Sequence, residues 1–184
     1  MKKITEFESV KILEESFYKV FKNKDPFDDC FVANIQAKFL LFPTDGYYLS
    51  EEQFNVLRKV ISHLGEDEFF ISEIEGDCFS QPLSSESYEH SHCRGDVSST
   101  YEDYTNVPIV LENAIFSTSG TWGVIISHEG HAVVGGSKEL IKQIQTSYPD
   151  LIACKQRFIE YWETIQRNYN SNIDWVHDFL KQFP

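Results

Sequence analysis

The run His128-Glu129-Gly130-His131 is the part of this chain where residue type and spacing come nearest to a reactive site. Imidazoles are metal ligands, and a carboxylate beside them is the partner a zinc peptidase uses. That motif sets its histidines four apart on one face of a helix. Here they are three apart, in a stretch patterned for strand, with a glycine between them. If Glu129-Gly130 is the turn pair of a hairpin, His128 and His131 face each other with Cβ atoms about 5 Å apart, close enough to share one ion. A metal-assisted hydrolase using His128 and His131 is the chemistry such a pair would support. No third ligand is evident, and a polar hairpin tip accounts for the same residues. No cofactor is therefore expected, with zinc as the ion to test.

Other candidates carry less. His90-Ser91-His92-Cys93, with Cys78 upstream, offers zinc-competent side chains, but not the paired spacing of zinc sites. Ser117-Thr118-Ser119-Gly120-Thr121 is rich in hydroxyls yet reads as a turn between strands, without the nucleophile-elbow pattern. Neither a phosphate-binding loop nor a dinucleotide fingerprint occurs, and Gly135-Gly136 is too short for either. Arg94-Gly95-Asp96 reads as a turn. Glu73 and Glu75 share one face of an expected strand and are the carboxylate pair to test for acid–base work. A solvated strand face explains them equally well. Cys30, Cys78, Cys93 and Cys154 form no Cys-x-x-Cys pair and are expected as free thiols in a reducing compartment.

Charge is more informative. The net charge is −13. Such a balance disfavours nucleic acid and anionic lipid and favours a basic protein partner. The charge is also localised. Eleven carboxylates lie between Glu66 and Asp103, against the single cation Arg94, so this segment holds ten of the thirteen net charges. Tyrosines stand among them, and Tyr gives contact area at low entropic cost. Glu66, Asp67, Glu68, Asp77, Glu86, Tyr88, Glu89, Tyr101, Glu102 and Asp103 are accordingly the expected partner-binding residues.

The elements that must position these residues follow from periodicity. Thr5-Glu6-Phe7-Glu8 matches a capping box, and Phe7, Val10, Leu13, Phe17, Val20 and Phe21 repeat at helical spacing. Phe31 to Phe42 alternates, predicting a long half-buried strand that ends at Pro43. Ser50-Glu51-Glu52-Gln53 is a second capping box, opening a helix that Gly65 closes. Phe69–Glu75 reads as a strand, and 76–106 shows no clear period. Val107–Ser117 reads as a further strand. Trp122–Ser127 and His131–Val134 form a hairpin, and Gly135-Gly136-Ser137 ends the sheet and caps a helix. Two more helices follow, from Pro149-Asp150 and from Ser171, with Trp162 and Trp175 on apolar stripes.

Strands cluster instead of alternating with helices, which predicts an α+β fold: an antiparallel sheet with N-terminal helices and a C-terminal helical segment. The 184 residues suit one domain spanning 1–184. No stretch reaches the roughly 18 apolar residues of a membrane span, and the acids after Lys2-Lys3 leave no signal-peptide core. A soluble, cytoplasmic chain with no membrane partner is expected.

Ser119-Gly120-Thr121-Trp122-Gly123-Val124-Ile125-Ile126-Ser127, then His131-Ala132-Val133-Val134-Gly135-Gly136 and the Ser137 helix, resembles an element of bacterial immunity proteins that neutralise polymorphic or contact-dependent toxins. The resemblance covers residues 119–146, about a fifth of the chain. It implies a small cytosolic inhibitor without catalysis, acidic because many such toxins are basic nucleases. The expected function is therefore occlusion of a basic toxin, with the metal-assisted hydrolase and a regulatory protein-interaction domain as alternatives.

Overall fold

A computed structural model describes residues 1–80, 89–148, 150 and 153–183. Its centre is a seven-stranded sheet in which every neighbouring pair is antiparallel. In chain order the strands are β1 (Lys2–Lys3), β2 (Ala37–Leu41), β3 (Glu68–Glu73), β4 (His92–Asp96), β5 (Asn113–Ser117), β6 (Gly123–Ile126) and β7 (Ala132–Gly136). In space they run β1-β4-β3-β5-β6-β7-β2. Six α-helices accompany them among the described residues: α1 (Phe7–Val20), α2 (Glu51–His63), α3 (Tyr101–Thr105), α4 (Lys138–Ser147), α5 (Cys154–Tyr169) and α6 (Asp174–Leu180). The α+β architecture, with helices at both ends of the chain, is as the pattern of elements predicts. No helix among the described residues is long and apolar enough to cross a membrane.

One row of in-register residues explains how the sheet takes α1. Phe70, Phe116, Gly123 and Gly135 are partners on β3, β5, β6 and β7. Large rings occupy one half of the row and no side chain the other. Phe17 and Phe21 of the α1 segment pack on Phe116, while Phe21 and Phe31 fill the space over the glycines. A Cβ on Gly123 would stand 2.5 Å from Phe21, and one on Gly135 2.5 Å from Phe31. Gly135-Gly136 ends β7 and Ser137 caps α4 by accepting from the Leu140 amide, as expected, while the bareness of Gly135 also seats an aromatic ring.

The opposite face presents Ile71, Ile115, Val124 and Val134 in register. Val124 and Val134 lie with Val56 and Leu57 of α2 and Ile144 of α4. Phe54 of α2 stacks on Tyr104 of α3 at 4.4 Å and meets Phe69 of β3 edge-on at 6.3 Å. Here the Ser50 capping box forms as expected: the hydroxyl accepts from the Gln53 amide, and the Gln53 side chain accepts from the Ser50 amide. Gly65 follows at φ 78°, the left-handed position that suits a helix-ending glycine.

Several expectations are corrected. The Thr5 box does not form, because the helix starts one residue later with Glu6 at its cap and no side-chain bond there. The strand expected over 31–42 shrinks to Ala37–Leu41. Phe31 bridges Phe21, and Val32 and Ile35 close a turn, because Phe31 is needed over Gly135. The strand expected over 107–117 shrinks to Asn113–Ser117. Pro108 has no amide to give. The Val110 and Glu112 amides donate instead to the carboxylates of Glu73 and Glu75, at 2.8 and 2.7 Å. The aperiodic stretch 76–106 contains β4 and α3. The helix expected from Pro149-Asp150 is described as α5 over Cys154–Tyr169, and Pro149, Leu151 and Ile152 lie outside the described residues.

Candidate functional site

The hairpin at His128-Glu129-Gly130-His131 differs from its expected form, and the difference separates the two histidines. Ser127, not His128, lies opposite His131: the Ser127 amide donates to the His131 carbonyl at 2.9 Å. The loop therefore has three residues, His128, Glu129 and Gly130, with Gly130 left-handed at φ 72°. A two-residue turn would have paired the imidazoles; the three-residue loop sends them apart.

His131 is fully buried. Its ring is enclosed edge-on by Phe27, Phe158 and Phe179, with centroids at 5.1, 5.3 and 5.1 Å. Nε2 donates to the Pro26 carbonyl at 3.4 Å, and Nδ1 has no partner. Burial pulls its pKa down to about 4, against a small upward pull from the Pro26 bond. His128 is half exposed at the tip. Its Nδ1 donates to Glu112 Oε1 at 2.7 Å, and its Nε2 lies 3.4 Å from Glu129 Oε1. Both ring nitrogens thus face carboxylates. Glu112 also accepts from the Ser127 hydroxyl at 3.2 Å. Burial raises its pKa, and the contact with His128 works against that rise. Among the described residues, no group of three or more His, Cys, Asp or Glu is arranged to hold a metal ion.

His128 and Glu129 stand on the wall of a cleft of about 940 Å³. Phe27, Trp162, Trp175 and Phe179 give it aromatic surface, and Asp28, Asp29, Asp178, Lys181 and Gln182 share its lining. It lies between the loop after α1, the β6–β7 turn and α5–α6. No residue of the acidic segment lines it. Trp175, expected in the core, is only partly buried there, whereas Trp162 is buried.

The acidic segment is divided by the sheet register. Glu66, Asp67 and Glu68 lie at one end of β3, with Glu68 opposite Asp96. Asp77 and Glu89 lie beyond the other end, and α3 carries Glu102 and Asp103. Several of these carboxylates hold the fold. Glu66 accepts from Ser119 and Thr121 at 2.8 and 2.7 Å and closes the β5–β6 turn. This accounts for the hydroxyl-rich run there. Glu68 pairs with Arg94, and Glu89 with Lys3 at 3.3 Å. Asp103 caps α3 by accepting from the Thr100 amide and hydroxyl, bonds that lower its pKa. Asp67, Asp77 and Glu102 are exposed. Glu86 and Tyr88 lie outside the described residues.

Glu73 reverses its expected role as a solvated strand residue. It is fully buried, and its two oxygens accept from the Ser91 and Val110 amides, each at 2.8 Å. One carboxylate thus ties two irregular segments to β3. The tyrosines beside the loops act likewise. Tyr104 is fully buried and its hydroxyl accepts from the Leu49 amide; Tyr48 donates to the Val107 carbonyl. Tyr101 is half-buried and donates to the Leu49 carbonyl at 3.1 Å. His92, a candidate ligand by type, is buried between Ser72 and the Cys78 carbonyl, at 2.8 and 2.9 Å.

The missed residues are those of the cleft. Asp28 sits in a loop with nothing but turn chemistry to mark it, and Trp162 and Trp175 read as ordinary helical stripes. Comparison with known proteins finds no family model, no curated protein and no solved structure that matches this chain.

Proposed function

We propose that this protein is a binding protein without catalysis of its own, an immunity protein that acts in the cytoplasm and neutralises a basic toxin by covering its surface. The observation that carries the reading is the exposed acidity of the segment. Asp67, Asp77, Glu89, Glu102 and Asp103 all reach solvent. Among the described residues of that segment the one cation, Arg94, is already paired with Glu68. A surface of this sign accelerates encounter with a basic protein and selects against acidic ones.

The test is protection of cells from the toxin encoded beside this chain, together with salt-dependent association of the purified pair. Reversing Asp67, Asp77, Glu89 and Glu102 to Lys should slow association about tenfold or more at low salt and flatten its salt dependence. Unchanged association would remove the acidic segment as the interface. The absence of any toxin that this chain protects against would overturn the immunity reading.

A further inference from the structure

We propose that the cleft walled by Phe27, Trp162, Trp175 and Phe179 seats an arginine or lysine side chain of the basic partner, an inference that rests on the binding function proposed above. Two observations converge on a cation. The first is the aromatic wall. Trp175 meets Phe27 at 5.3 Å and Trp162 at 4.9 Å between centroids, both edge-to-face. Neighbouring rings set at right angles present both faces and edges to the space beside them, and ring faces attract a guanidinium or ammonium group.

The second is charge that the protein does not neutralise itself. Of the four lining carboxylates, Asp29 is held by Lys22 and Lys38, at 3.2 and 2.5 Å, and Asp178 by Lys181 at 2.6 Å. Asp28 has no such cation among the described residues. Its oxygens accept only from the Asn23 side chain and the Asp29 amide. Glu129 faces the His128 ring alone, at 3.4 Å. Asp28 and Glu129 are joined through Phe27 and His128, whose rings lie 6.2 Å apart. They therefore flank the same aromatic surface.

Trp162 is 8% exposed, and its indole nitrogen is enclosed, so it is the ring and not the N–H that the cleft offers. Its ring lines the cleft. The volume, about 940 Å³, takes a side chain together with its adjoining backbone, which a buried pocket for a lone ion would not.

The probes are acetyl-Gly-Arg-Gly-amide and the same peptide with citrulline, which keeps the shape and removes the charge. Each is titrated into the labelled protein while the indole N–H resonances of Trp162 and Trp175 are followed. The arginine peptide should move both resonances and bind about tenfold more tightly than the citrulline peptide. The double variant D28N/E129Q should keep the wild-type circular dichroism and lose that preference. Equal binding of the two peptides, no movement of the indole signals, or an unchanged preference in D28N/E129Q would overturn the proposal. The two readings fail separately. If D28N/E129Q retains full toxin association while the lysine reversals abolish it, the cleft falls and the binding function stands. If the peptides discriminate but no toxin associates, the cation seat stands and the immunity reading falls.

Discussion

His131 shows how one side chain couples this fold to pH. The unfolded chain takes up a proton on this imidazole near pH 6.5, whereas the folded protein refuses it until about pH 4. Between those values the unfolded state binds more protons, so stability falls as pH falls and levels off below the folded value. The full loss is on the order of 3 kcal/mol. His92, whose pKa is also lowered by burial, acts in the same direction. So does Asp29, held below the ordinary carboxylate value by Lys38 and Lys22 against the opposing effect of its own burial. Glu112, raised by burial, works the opposite way and gains stability on protonation. Urea midpoints measured from pH 7 to pH 4 should therefore drop for the wild type. His131→Phe places a fourth ring among Phe27, Phe158 and Phe179 and should flatten most of that drop. An equally steep profile in the variant would assign the acid sensitivity elsewhere.

At the level of elements, the sheet and α1 are matched through missing side chains. Gly123 and Gly135 are partners on adjacent strands, and the rings of Phe21 and Phe31 occupy the places their Cβ atoms would take. Interiors packed to crystal density do not absorb even one added methyl freely. Gly123→Ala should therefore cost about 1–3 kcal/mol, read as a shift in denaturant midpoint. The pair Gly123→Ala with Phe21→Leu should cost less than the sum of the two single changes, because the smaller side chain vacates the contested space. Strict additivity would mean that the ring does not press on this strand.

Across the whole molecule, the acidic segment and the cleft occupy different surfaces. The acids sit around β3, β4 and α3, and the cleft lies where α5–α6 approach the loop after α1. A partner that engages both must span a large part of the surface. The thiols, in contrast, are withdrawn everywhere. All four cysteines are free and buried. Burial pushes Cys30 up to about 12 and Cys78 up to about 11, the latter against the pull of Lys24. Thiolate is the reactive form, so a disulfide reagent should find no fast-reacting thiol in the native protein and all four after denaturation. A single rapid native thiol would locate an opening that the packing described here does not contain.

The amino-acid pattern by itself determined whatever local chemistry enforces. The α+β class, the amphipathic stripes of α1 and α2, the Ser50 cap with Gly65 and the concentration of charge in 66–103 all follow from neighbours within a few residues. Tertiary structure decided what depends on distant partners. Val107–Glu112 has the composition of a strand, but its Val110 and Glu112 amides are claimed by Glu73 and Glu75, more than thirty positions away. His128 and His131 look like a pair, but the three-residue loop and the aromatic cage from α5 and α6 part them. The cleft was illegible for the same reason. Asp28, Glu129 and Trp175 are far apart along the chain and carry no shared spacing, and only the packing of the C-terminal helices against the α1 loop and the hairpin tip brings them to one surface.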